Sequence, residues 1–131
     1  MAIRSRLETK GFAEYLERLA KAGRNIDAIA DEALMDGAEI LEAGMHRRVA
    51  KDTGNLDDTI TTEGPFREGN FHFVTVGLPK STDAETARYG NVQEYGSANM
   101  AAQPYIRPTL DADMGKARKA MRARFEAEGV L

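Results

Sequence analysis

The sequence predicts an α+β fold: an antiparallel β-sheet, made of a hairpin plus short strands, packed with a long N-terminal helix and a C-terminal helix. Three observations predict it. Apolar residues recur at helical spacing on both sides of the chain's middle, and the middle itself turns to β-branched and aromatic residues. Between these regimes stand three turn-forming strings: Asp52-Thr53-Gly54-Asn55-Leu56, Glu94-Tyr95-Gly96-Ser97 and Gln103-Pro104-Tyr105-Ile106-Arg107-Pro108. Their residues bend or cap a backbone, and none has the composition of a catalytic site.

Each element has its own signal along the chain. Phe12, Tyr15, Leu16, Leu19 and Ala20 keep helical spacing until Gly23, which predicts a first helix of about three turns. Asn25 suits the N-cap of a longer helix running to about Ala50, with Asp27, Asp31 and Glu32 near its start and His46, Arg47, Arg48 and Lys51 at its end. Both charge biases agree with that helix direction. On its wheel, Ala30, Ala33, Gly37 and Gly44 form a small-residue spine that lets a neighbouring element approach closely.

Thr59 to Glu63 and Asn70 to Gly77 read as an antiparallel hairpin, with Gly64-Pro65 and Glu68-Gly69-Asn70 as breakers. Phe71, Phe73 and Thr75 share one face of the second strand; His72, Val74 and Val76 share the other. Residues 79–88 are polar and predict an exposed loop, followed by a helical turn from Tyr89 to Tyr95 that Gly96 ends. The last helix is expected from Pro108 to about Glu128, because proline suits a first helical position and pushes Arg107 out of the α region. Leu110, Met114, Ala117, Met121 and Phe125 are its apolar stripe.

With 131 residues, 42% of them hydrophobic, the chain is sized for a single domain over residues 1–131. Residues 1–10 are expected to be flexible and, like residues 79–88, to order only against neighbouring subunits. The absence of cysteine excludes disulfides, thiolate metal sites and thiol nucleophiles. A net charge of −3 argues against a protein whose task is to neutralise phosphate backbone. No window approaches the roughly 18 apolar residues of a membrane span, and the N-terminus does not read as a secretory signal.

Candidate chemistry yields to plainer readings. Gly77 to Thr82 ends like a phosphate-binding loop, but Pro79 and Val74 stand where that loop needs glycine. Glu42 and His46 lie four apart on one helical face and lack a third convergent ligand, while His72 belongs to a strand. Ser97 follows Gly96 without the second glycine of a nucleophile elbow. Asp52 is explained by turn chemistry, and nothing pairs Asp57 or Asp58 as catalytic carboxylates. Lys116, Arg118, Lys119, Arg122 and Arg124 read as a solvated helix face, with DNA contact as the functional alternative. No catalytic, cofactor-binding or metal-binding residue is expected.

The strings and their order resemble the tail-component or tail-completion proteins of long-tailed bacteriophages, typified by the tenth gene product of phage Hong Kong ninety-seven. The resemblance rests on Asp52 to Leu56, on Asn91-Val92-Gln93-Glu94-Tyr95-Gly96 and on Ala102 to Pro108, and covers about residues 12 to 128. Ala50 and Lys51 replace a usual proline and apolar residue, and Tyr105 replaces the usual Phe, adding a hydroxyl that needs a partner.

The resemblance implies a non-enzymatic virion protein of the neck, assembled in the host cytoplasm and active in tail completion or head-tail joining. It implies a ring, expected to be a hexamer, around a channel that DNA crosses without sequence-specific binding. Its partners would be itself and adjacent neck proteins: the head-completion or stopper protein and the tail terminator or tail tube. No membrane and no small-molecule substrate is implied. A tail terminator capping the tail tube, or a phage binding module acting on a host protein, is the alternative. The structural residues expected are Asp52, Thr53, Gly54, Asn55, Leu56, Glu94, Tyr95, Gly96, Pro104, Arg107 and Pro108. Gly54 would take positive φ, Asn55 would cap the next segment, and Arg107 would pair with Glu94 or Asp52.

Overall fold

The computed structural model describes residues 4–8, 26–51 and 54–129. In chain order the elements are β1 (Arg4–Glu8), α1 (Ile26–Arg48), α2 (Asn55–Thr59), β2 (Thr61–Glu68), β3 (Phe71–Gly77), α3 (Ala84–Tyr95) and α4 (Ile106–Ala127). The three strands form one antiparallel sheet in the order β1-β3-β2. The α+β fold, with a long helix before the hairpin and another after α3, is therefore present. The helix expected from Phe12 to Gly23 and its neighbour Asn25 lie outside the described residues.

Three boundaries differ from the sequence reading. Arg4–Glu8, inside the segment expected to order only against other subunits, pairs within the chain along β3, from Arg4 opposite Gly77 to Glu8 opposite Phe73. Gly64-Pro65 does not break the hairpin: β2 runs through it with a register shift between Glu63 and Phe66. Proline is tolerated there because β2 is an edge strand, and Gly64 at φ 120° supplies a backbone that a side chain would strain. Residues 79–88 are not one exposed loop, since α3 already begins at Ala84. Asp83 caps that helix by accepting the Thr86 N–H at 3.0 Å, and the true loop is a turn closed by Thr82 N–H donating to the Pro79 carbonyl.

The strand alternation divides the sheet cleanly. His72, Val74 and Val76 are buried toward α1, whereas Phe71 is 40% exposed on the opposite face, where Phe66 and Phe73 pair with ring centroids 5.4 Å apart. Arg6 lies 3.7 Å over the Phe73 ring. His72 is the polar member of the buried face. Its Nδ1 is 2.7 Å from Asp31 and its Nε2 is 3.1 Å from Asp27, so β3 is tied to the first turns of α1. Burial pushes the Asp31 carboxyl up, but hydrogen bonds from Arg67 and His72, with their charges, reverse this and leave it lowered.

α1 is sandwiched between the sheet and α4. Ala30, Ala33, Gly37 and Gly44 are all buried, so the small-residue spine is the contact face. At Gly44 the approach is closest. A Cβ there would collide with the Asp113 carboxylate, and would lie 2.8 Å from Thr109 Cγ2 and 2.9 Å from Arg48 Nη1.

That contact also corrects the stripe read on the last helix. The fully buried line of α4 is Ile106, Thr109, Asp113, Ala117, Met121 and Phe125, with Leu110 and Met114 only half-buried at its flank. Two polar residues thus occupy its N-terminal half. Asp113 accepts from Arg48 at 2.7 Å and from Arg47 at 3.1 Å, and Thr109 donates to the Tyr105 carbonyl at 2.6 Å. The Arg48 hydrogen bond holds the Asp113 carboxyl below its usual range against the opposing effect of burial. At the far end, Arg124 grips Asp36 with two bonds of 2.7 and 3.1 Å.

Gly44 and Gly115, both helical, give opposite expectations for one substitution. Gly44→Ala overfills the α1/α4 seam and should cost about 1–3 kcal/mol. Gly115→Ala, where a new Cβ meets nothing within 4 Å, should stabilise by about 1 kcal/mol through helix propensity. Denaturant titration of both variants checks the pair; equal signs would show that the seam is looser than described.

Candidate functional site

The described parts of the turn strings, separated by up to about fifty residues of sequence, meet at one corner between α2, α3 and the start of α4. Leu56 is 1% exposed and Tyr105 is fully buried. Between them lies Gly90 of α3, where an added Cβ would stand 2.7 Å from Leu78, 3.1 Å from Leu56 and 3.1 Å from the Tyr105 hydroxyl. Only a glycine lets α3 come this near to both.

Glu94, buried on the same helix, fixes the third string. Its Oε1 accepts the backbone N–H groups of Tyr105 at 2.9 Å and Ile106 at 2.8 Å, and its Oε2 accepts that of Arg107 at 3.1 Å. These are the N-cap and first two residues of α4, whose own N-cap side chain makes no capping bond. The next residue, Pro108, has no N–H. All four donors that a helix start leaves without intrahelical partners are thereby accounted for, and the carboxylate lies where the helix dipole favours negative charge.

The backbone closes the same corner. Gly96 N–H donates to the Val92 carbonyl at 2.7 Å and ends α3 with φ 79°. An added Cβ at Gly96 would lie 2.9 Å from the Ala102 nitrogen, which shows how closely the following strand of backbone returns. Gln103 N–H then donates to the Gln93 carbonyl at 2.7 Å, just before α4 begins.

Several sequence-predicted roles change here. Gly54 has φ 81° and is itself the N-cap of α2, so Asn55 is already the first helical residue and the cap carries no side-chain bond. Arg107 does not pair its guanidinium with Glu94; its backbone N–H does so, while the side chain is exposed and lies 5.8 Å over the Tyr95 ring. α4 starts at Ile106 rather than Pro108, which instead occupies its first turn. Pro104 is half-buried and Tyr95 is 62% exposed. Asp52 and Thr53 lie outside the described residues.

The Tyr105 hydroxyl is buried without a hydrogen-bond partner among the described residues, as is Gln93 Oε1. Burial, reinforced by the Glu94 charge, pushes that phenol far above its usual value. His46, read as part of a solvated face, is half-buried and lies 2.6 Å from Asp57, where it ties α1 to α2. Among the described residues no group of three or more His, Asp and Glu is placed to hold a metal ion, and no helix is long and apolar enough to cross a membrane.

Sequence reasoning missed the Glu94 cap, the Gly90 approach and the buried Asp113. A glycine inside a predicted helical turn was the available signal for the second. The other two depend on partners distant in sequence, and no local pattern announces them.

The corner is a rigid joint of an α+β domain, with the Glu94 carboxylate committed to capping the backbone of α4. The family model described as Bacteriophage HK97-gp10, putative tail-component, matches residues 10–96, and the chain belongs to that family. The match takes in Gly54 to Leu56 and Glu94 to Gly96 and ends before Gln103. No curated protein and no solved structure gives a significant match.

Two substitutions separate the parts of this corner. Glu94→Ala leaves three helix-start donors without acceptors and should cost about 3 kcal/mol, whereas Glu94→Gln keeps an acceptor and should cost about 1 kcal/mol. Calorimetry or urea unfolding reads both, and a loss under about 0.5 kcal/mol for Glu94→Ala would show that the cap is incidental. Tyr105→Phe removes an unpartnered hydroxyl and should be neutral or stabilising by up to about 1 kcal/mol. A clear destabilisation would reveal a partner for that oxygen.

Proposed function

We propose that the chain is a structural component of the phage neck, acting in tail completion or head-tail joining as a ring of identical subunits around the DNA channel. The observation that carries this reading is family membership over residues 10–96, in a chain whose turn strings build a fixed corner. A closed ring of one chain needs two different complementary patches on each subunit. The outer surface of α4 and the exposed aromatic face of the sheet offer candidate ground for them. The ring is hexameric in this proposal, contacts the stopper and the tail terminator or tail tube, and forms in the host cytoplasm before joining the virion.

DNA passes through such a ring and is not read by it. A net charge of −3 suits that role, because a strongly basic lumen would retard the duplex by binding phosphate. No catalytic step is part of the proposal.

Infection with phage lacking this gene product tests it. Electron microscopy should show filled heads and unjoined or incomplete tails, and supplying the wild-type chain should restore joined particles. Normal infectious virions in its absence would overturn the proposal.

A further inference from the structure

The outer face of α4 and the groove between α2 and α3 carry opposite charge on surfaces that share no residue. On α4, Lys116, Arg118, Lys119 and Arg122 are all exposed; Lys119 and Arg122 lie opposite the buried line together with Asp111 and Glu126, and Lys116 and Arg118 flank it on either side. Within the helix, Lys116 is 3.8 Å from Asp113, and Arg122 donates to Glu126 at 3.1 Å across one exposed turn. The groove has a volume of about 800 Å³ and is lined by Asp58, Asp83 and Glu85 against Arg88, with Tyr89 and Val92 half-buried within it. A chain of net charge −3 therefore separates a basic ridge from an acidic hollow.

Gly115 adds an independent observation. It stands in the interior of α4, exposed, where a Cβ would meet nothing within 4 Å. No contact among the described residues requires a glycine there, yet a helical glycine costs about 1 kcal/mol relative to alanine. The absence of a side chain beside Lys119 and Arg122 lets another backbone come close at the centre of the basic face.

We propose that the α4 ridge of one copy docks into the α2/α3 groove of the next, giving the head-to-tail contact from which a ring closes. This rests on the ring reading above and names its contact. The occupant is a second copy of this chain because the hollow matches the ridge in charge and can accept the exposed side of a helix. Two unlike patches on one subunit are also what a heterologous interface requires.

The lack of cysteine makes the test clean. Full-length chain carrying Lys119→Cys is mixed with chain carrying Glu85→Cys and treated with a bismaleimide, alongside the chain carrying both. The mixture should give crosslinked heterodimers and the doubly substituted chain a ladder of higher oligomers, while single variants alone give at most traces of dimer. In sedimentation, Lys119→Glu with Arg122→Glu should weaken self-association about tenfold or more, and adding Asp58→Lys with Glu85→Lys should restore it. Gly115→Leu should keep the monomer's circular dichroism and raise its melting temperature, as the gain in helix propensity requires, yet weaken assembly.

A wild-type chain that stays monomeric at every concentration reached overturns the inference, as does assembly indifferent to all these changes. So does a Lys119→Glu, Arg122→Glu variant that assembles normally but no longer retains duplex DNA, since the ridge would then face nucleic acid. Rings that form without this crosslink, in particles that still need the protein for joining, would sink the contact and leave the neck role standing.

Discussion

The arrangement depends on how α4 begins. A helix start leaves four backbone N–H groups without intrahelical acceptors, and burying them unpaired would cost more than the helix gains from its first turn. Here one carboxylate from another helix takes three of them, and a proline removes the fourth. The direction of α4 is therefore set from α3, eleven or more residues upstream, rather than by its own flanking side chains. Because α4 covers α1, and α1 covers the sheet, the Glu94 cap transmits the placement of α3 to the whole stack.

The second constraint is the seam between α1 and α4. Small residues bring the helices close, and closeness at Gly44 makes room for a carboxylate only because Arg48 and Arg47 reach it. A buried ion pair of this kind is weak evidence of net stability, since desolvation opposes the Coulombic gain. Its effect is on register. Sliding α4 by one turn along α1 would bury Asp113 away from both arginines, an error costing several kcal/mol, whereas an all-apolar seam would tolerate the slip more readily. The Asp36 to Arg124 fork at the other end opposes the same slip from the opposite direction.

The sequence made the long helices, the hairpin and the small-residue spine legible because each is a periodic pattern within one segment. What it concealed was non-local. Asp113 carries no apolar signal, and only the cations of α1 explain why the buried line runs through it. Asp83 and Glu85 did mark the start of α3, yet the polarity of residues 79–88 outweighed that local cap signal. Gly64-Pro65 resembled a breaker because edge strands, where a missing donor is harmless, are defined by the sheet and not by the segment. At the corner, the strings were recognisable as turns, but the bond expected between the Arg107 side chain and Glu94 is made by the Arg107 backbone instead.

This pattern bears on what kind of work the corner can do. A reactive site leaves polar groups poised toward solvent or substrate, whereas Glu94 has its carboxylate oxygens committed to amides, and Tyr105 presents its hydroxyl to a buried wall beside Gly90. The exposed parts are instead the Tyr95 ring with Arg107 above it and the return loop around Met100, residues of the types that anchor protein interfaces. The interior fixes geometry while the exterior offers contact surface, and a subunit of the proposed ring, repeating one angle around an axis, would need that division. In such a ring, error in the angle between α3 and α4 would multiply with each copy added, so a multiply bonded cap at that joint would be worth more to the assembly than to a solitary domain.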